Sequence, residues 1–163
     1  MTNRTVLLAT VLVSALYACG DFTSVDPTSI ERALELQHTE VWSKGNYDSL
    51  SSIYAEDYVG HFPGGQTVNG RDGLRKAVRS HRNSFPNWDE QVLEIIVDGN
   101  HAATRYRSRG THDGEFLGIP ATGNEIDVLE ASIYHMVDGK IAEQWAFPDN
   151  ASLQQQLAPQ QSN

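Results

Sequence analysis

The chemistry available to this chain starts with one carboxylic acid, Glu130, set in the largely apolar run of residues 126–137. A β-strand turns every second residue to one side, and that spacing groups Val128, Glu130, Ser132 and Tyr134. If that side walls a hollow, apolar neighbours disfavour the charged carboxylate. Its proton affinity then rises toward the neutral range that suits acid–base catalysis. His61, at the end of a brief extended piece over residues 57–62, could partner it from the opposite rim. In an equally open reading, Glu130 pairs across the sheet with Arg105 or Arg107. Those two alternate with Arg109 along one strand, where they could hold an anion or pair with Asp127 and Glu125 on a wet face.

Other chemistries lack their parts. His38, His81, His101 and His135 show neither the HExxH pattern nor any other ligand spacing, so neither metal nor another cofactor is expected. There is no GxSxG elbow, no phosphate-binding P-loop and no GxGxxG after a strand. His112 lies in a glycine-rich connection, where it is a candidate gate for a ligand. The formal charge of −9, from 12 basic and 21 acidic side chains, repels phosphate backbones, so nucleic acid is not an expected partner.

These groups need elements to position them. The 163 residues, 39% hydrophobic and 20% charged, suit one globular domain. Asp26 and Pro27 read as an N-cap and first helical residue, and Ile30, Leu34 and Val41, with Ala33 and Trp42 beside them, recur at helical spacing up to Gly45. A short second helix is predicted over residues 47–54, and a third over 71–85 carrying Leu74 and Val78 inward. Alternation then predicts strands over 88–97 and 102–110 joined at Asp98-Gly99-Asn100, and over 126–137 and 140–147 joined at Asp138-Gly139. A last short helix runs from Pro148-Asp149 to about Leu157. Helices followed by an antiparallel meander give an α+β class, with a curved sheet wrapped around the N-terminal helices. The hollow of such a half-barrel suits a small molecule.

The amino terminus is separate from this domain. Residues 5–18 carry no charge and are too few to span a bilayer, so they read as a secretion signal. The run closes on Leu16-Tyr17-Ala18-Cys19-Gly20, which resembles the bacterial lipobox. Cys19, the only cysteine, is then the site of lipidation. This divides the chain into a lipoprotein signal peptide (1–18), a tether (19–26), the folded domain (27–157) and a disordered tail (158–163). The expected location is the cell membrane or outer membrane, lipid-anchored and facing the periplasm or exterior.

The segment from Arg109-Gly110-Thr111-His112 through Phe116-Leu117-Gly118-Ile119-Pro120 to Gly123 resembles the SnoaL-like polyketide cyclase, or ester cyclase, group of the NTF2-like superfamily. Trp42 to Asp48, Tyr54 to Val59, Gly70 to Leu74, Val137 to Ile141 and Trp145 follow in family order. The resemblance implies an NTF2-like cone and cofactor-free ring closure by an aldol condensation, in a dimer or larger assembly. It also implies a catalytic aspartate, whose position holds Ala146 here. A histidine and a glutamine that hold substrate in the cyclases fall at Ser132 and Glu130.

With Ala146 placed in the hollow, alternation adds Gln144 on its own strand and Glu130, Ser132 and Tyr134 on the neighbouring one. Ser132, Tyr134, Gln144 and His112 are thus the expected ligand contacts, with Glu130 and His61 the expected acid–base pair. The opposite strand face, with Leu129, Ala131, Ile133 and Val137, is too apolar for water. It predicts either a homodimer or cover by the C-terminal segment. Two functions remain open: a cofactor-independent cyclase, isomerase or hydrolase acting on a small apolar molecule, and a non-catalytic binding or interaction lipoprotein of the cell envelope.

Overall fold

A computed structural model describes residues 26–158. The predicted signal peptide, Cys19, most of the tether and residues 159–163 lie outside the described residues. Helix α1 (Pro27–Leu36) opens as its sequence dictates, with the Asp26 side chain accepting a hydrogen bond from the Thr28 N–H at 3.0 Å and proline in the first turn. It widens into a π-helical turn over Gln37–Trp42. A 3₁₀ turn (Tyr47–Ser49) and a single-turn helix α2 (Leu50–Ile53) follow, and Tyr54, expected to end that helix, already begins strand β1 (Tyr54–Phe62).

Strand β2 (Gln66–Asn69) was hidden in what the sequence presents as turn chemistry; its four residues pair with the end of β1. Helix α3 (Gly70–Ser84), strands β3 (Asp89–Asp98), β4 (His101–Thr111), β5 (Glu125–Val137) and β6 (Lys140–Pro148), and helix α4 (Asn150–Leu157) follow among the described residues. At the β5–β6 hairpin, Asp138 and Gly139 both take positive φ, 50° and 72°, as the turn between two twisted strands requires.

The six strands form one curved, unclosed sheet in the order β2-β1-β6-β5-β4-β3. All neighbours are antiparallel except β1 and β6, where His61 pairs in register with Trp145 and Gly60 with Gln144. Helices and the concave face enclose the core. Ile30, Leu34 and Val41 of the first helical segment meet Leu74 and Val78 of α3, Tyr54 and Tyr58 of β1, and Tyr134 and Ile141 of the last strands. A second cluster, Phe85, Trp88, Ile126, Val128 and Leu157, closes the other end. This is the α+β cone expected from the order of elements.

Period two decides which sheet residues reach the core. Ile126, Val128, Ser132, Tyr134 and Met136 are buried, whereas Leu129 and Ile133 are 54% and 45% exposed on the convex face. Helix α4 does not cover that face: its Leu157 joins Ile126 and Val128 inside. The same alternation turns Arg105, Arg107 and Arg109 outward, where Arg105 meets Glu94 at 3.2 Å and the other two meet Asp127. Neither the anion site nor an arginine partner for Glu130 forms.

Candidate functional site

Between the concave face and the helices lies a cavity of about 360 Å³, within the range of small-molecule sites. Trp42, Phe62, His81, Trp88 and Phe116 supply aromatic walls. Gln37, His38, Glu90, Tyr106, Glu130 and Gln144 bring polar groups to it, and Ala146 lines it too. No lysine or arginine is among its lining residues.

Glu130 reaches this cavity from β5. Burial pushes its carboxyl up to about 7, and the nearby Glu90 charge adds to the effect. Glu130 can therefore hold or release a proton near neutral pH.

A buried polar cluster, not anticipated as a site, forms the floor. His38 Nδ1 lies 2.6 Å from Glu90 Oε2, and the Trp88 indole N–H donates to Glu90 Oε1 at 3.0 Å. On the other edge of the ring, His38 Nε2 is 3.0 Å from Gln37 Nε2 and 3.2 Å from Thr104 Oγ1. The Tyr54 hydroxyl donates to Gln37 Oε1 at 2.8 Å, which turns the amide NH₂ toward His38. His38 Nε2 is then an acceptor, and its one ring proton sits on Nδ1, facing Glu90. The imidazole is neutral, so the pair carries the single negative charge of Glu90.

The signal for this cluster was a gap in a pattern. The apolar stripe of the first helix reads Ile30, Ala33, Leu34, then Val41, and the inward positions between them hold Gln37 and His38, 0% and 1% exposed. Polar residues at core positions of a helix need buried partners. Likewise Glu90 shares the inward phase of β3 with the start set by Trp88. Thr104, His38 and Glu90 stand in the order of a nucleophile, base and acid, but Thr104 is 2% exposed and does not line the cavity, so it has no access to a substrate.

The expected site residues fall into three groups. Glu130 and Gln144 line the cavity. Ser132 and Tyr134 are fully buried just behind it: the Gln144 amide donates to Ser132 Oγ at 3.3 Å, and the Tyr134 hydroxyl is 3.0 Å from Thr104 Oγ1. The Tyr58 hydroxyl donates to Gln144 Oε1 at 2.9 Å and so fixes that amide. Burial raises the phenol pKa of Tyr54, Tyr58, Tyr106 and Tyr134, which keeps all four protonated.

His61 and His112 stand elsewhere. His61 is on the convex face, 2.7 Å from Glu143 and stacked on Trp145 with ring centroids 5.4 Å apart. It cannot pair with Glu130 across the hollow, because Gly60 and Phe62 take the inward phase of β1 at that point. His112 is not an open gate but a fully buried ring, its Nδ1 3.0 Å from Thr122 Oγ1 and its face against Phe85. Among the described residues no cluster of three or more His, Cys, Asp or Glu could hold a metal ion, and no helix is long and apolar enough to cross a membrane.

The comparisons agree with this architecture. The family model for SnoaL-like polyketide cyclases matches residues 32–157. The aklanonic acid methyl ester cyclase DauD of Streptomyces sp. (strain C5) is 25% identical over 123 residues, covering 72% of this chain and 75% of that protein. The corresponding cyclase DnrD of Streptomyces peucetius is also 25% identical, with 83% of its length covered. Among solved structures, TsrD from Streptomyces laurentii superposes with a TM-score of 0.75 at 25% identity, over 82% of this chain and 98% of TsrD. A SnoaL-like polyketide cyclase from Agrobacterium tumefaciens, 18% identical, covers 79% of this chain and 98% of its own with a TM-score of 0.67, and shares the fold.

Proposed function

This chain belongs to the SnoaL-like polyketide cyclase family, and from that premise we propose that its cavity binds a small, largely apolar carbonyl compound and moves a proton on it without a cofactor. One observation carries the reading: Glu130 lines an aromatic-walled cavity with no arginine or lysine beside it, poised by burial to exchange its proton near neutral pH. The reaction class is a cyclisation, isomerisation or hydrolysis that begins or ends with proton transfer next to a carbonyl. The relatives named as ester cyclases support that class.

The test uses 2-acetonaphthone, a neutral aromatic ketone of a size the cavity can take. Exchange of its acetyl protons in D₂O, followed by NMR, is expected to run faster with the protein than with buffer, and Glu130→Gln is expected to abolish the gain. A wild-type protein that binds the ketone without accelerating exchange would remove the catalytic reading. It would leave the second one, a non-catalytic binding module, which Ala146 favours because it lacks the carboxyl of the family's catalytic aspartate.

The reading extends to the rest of the chain as a lipoprotein. Acylation at Cys19 tethers the domain to the cell membrane or outer membrane, facing the periplasm or exterior; metabolic labelling with an alkynyl fatty acid that is lost in Cys19→Ala tests this. The half-exposed Leu129, Ile133 and Phe147 on the convex face favour a homodimer. Sedimentation of residues 26–163 tests it, and Ile133→Asp is expected to give monomer.

A further inference from the structure

We propose that Glu90, clamped by His38 and Trp88, is a fixed negative charge that sets the cavity's specificity, admitting uncharged carbonyl compounds and refusing carboxylates. This deepens the reading above and rests on it only in requiring that the cavity bind a ligand.

The geometry supplies the charge and prevents its neutralisation. Glu90 is 7% exposed, with Oε1 held by the Trp88 N–H and Oε2 by the Nδ1 edge of His38. Gln37, oriented by Tyr54, keeps His38 Nε2 an acceptor. The histidine therefore orients the carboxylate without cancelling it. A buried carboxylate with two fixed donors keeps its charge at low cost, and in a water-poor cavity that charge acts over a longer reach than it would at the surface.

Among the described residues no lysine or arginine lines the cavity, and the arginines of β4 and Arg82 are engaged elsewhere. Arg82, on α3, spends its guanidinium on the backbone carbonyls of Trp42, Ser43, Pro86 and Trp88. The arginines of β4 lie on the convex face with Asp127 and Glu94. His81 lines the cavity from α3, and burial holds it neutral down to about pH 4. Glu130 and the more exposed Glu115, which also line the cavity, are acids as well. A ligand carboxylate would thus be desolvated beside a like charge with no counter-ion, whereas a ketone oxygen can accept a hydrogen bond from protonated Glu130.

Two probes of nearly equal shape isolate the charge: 2-acetonaphthone and 2-naphthoate, which differ by a methyl group in place of an oxygen anion. Their dissociation constants are read from quenching of the tryptophan fluorescence at about pH 6, where Glu130 keeps its proton. The wild-type protein is expected to prefer the ketone by roughly tenfold or more. Glu90→Gln, which retains an acceptor for Trp88, is expected to bring the ratio close to unity. Glu130→Gln, with Glu90 intact, is expected to keep the carboxylate excluded.

Equal binding of the two probes by the wild-type protein overturns the inference and leaves the ligand-binding function standing. A preference that survives Glu90→Gln overturns it as well, since the charge would then lie elsewhere. If neither probe binds, the ligand-binding reading fails and this inference fails with it. Should Glu90→Gln alone not fold, the same comparison is made in Glu90→Gln combined with His38→Gln, where two amides replace the acid and the imidazole, and a ketone preference that survives there overturns the inference.

Discussion

Glu90 on β3 and His38 at the end of the first helical segment meet with Oε2 and Nδ1 2.6 Å apart, joining elements 52 residues apart in the sequence. Both side chains are almost wholly withdrawn from water. The contact ties the helix to the sheet and sets a charge in the cavity, so it bears on stability and on ligand choice together.

Cutting one side of this pair leaves the other buried without its partner. His38→Ala is expected to cost about 3–5 kcal/mol, read as a lower urea midpoint. Adding Glu90→Gln to His38→Ala is expected to recover part of the loss, because the second change removes the stranded charge. An unchanged midpoint in His38→Ala would contradict the role assigned to the pair.

Glu130 makes stability depend on pH in a definite direction. Its carboxyl titrates at about 7 in the folded protein against 4.5 for the free side chain, so between these values the folded state binds more protons than the unfolded one. Its contribution is fully present below about pH 4.5 and is lost as pH rises through 7. Glu130→Gln is therefore expected to gain on the wild-type protein between about pH 5 and 8, by on the order of 2 kcal/mol. Parallel stability curves for the two proteins would contradict this.

His81 acts with the opposite sign. Burial, assisted by the Arg82 charge, lowers it to about 4 from the usual 6.5, so the unfolded chain takes up its proton first as the solution is acidified. The stability it contributes is present above pH 6.5 and lost as pH falls toward 4. His81→Phe, which keeps the ring among Trp42, Trp88 and Phe116, is expected to flatten the acid limb of the denaturation profile.

The convex position of His61 separates it from the proton chemistry. His61→Ala removes the contacts to Glu143 and Trp145 and is expected to leave ketone binding and proton exchange unchanged. Loss of exchange in this variant, with the fold intact by circular dichroism, would show that the cavity is not where the proton moves.

Backbone space gives a further test. A Cβ added to Gly114 would lie 2.3 Å from the Asn83 carbonyl oxygen and 3.0 Å from Ser84 Cα, backbone atoms that cannot swing aside. Gly114→Ala is expected to destabilise by about 1–3 kcal/mol, the range for forced overpacking, and to lower the melting temperature. A melting temperature equal to that of the wild-type protein would show that the loop yields.

The sequence by itself determined most of the elements, though not β2, and much of their facing. Helical stripes, paired turns and strand alternation are set by neighbours a few residues apart, and they sufficed for the α+β cone, for the hairpins and for the inward phase of Glu130 and Gln144. Only the tertiary structure decided that His38 answers Glu90, that His61 faces outward with Trp145, and that Ser132 and Tyr134 lie behind the cavity wall. Those outcomes depend on the parallel register of β1 with β6 and on the curvature that brings β3 over the first helix. A local spacing tells a side chain which face to take, but the partner it meets there is fixed by how distant segments stack.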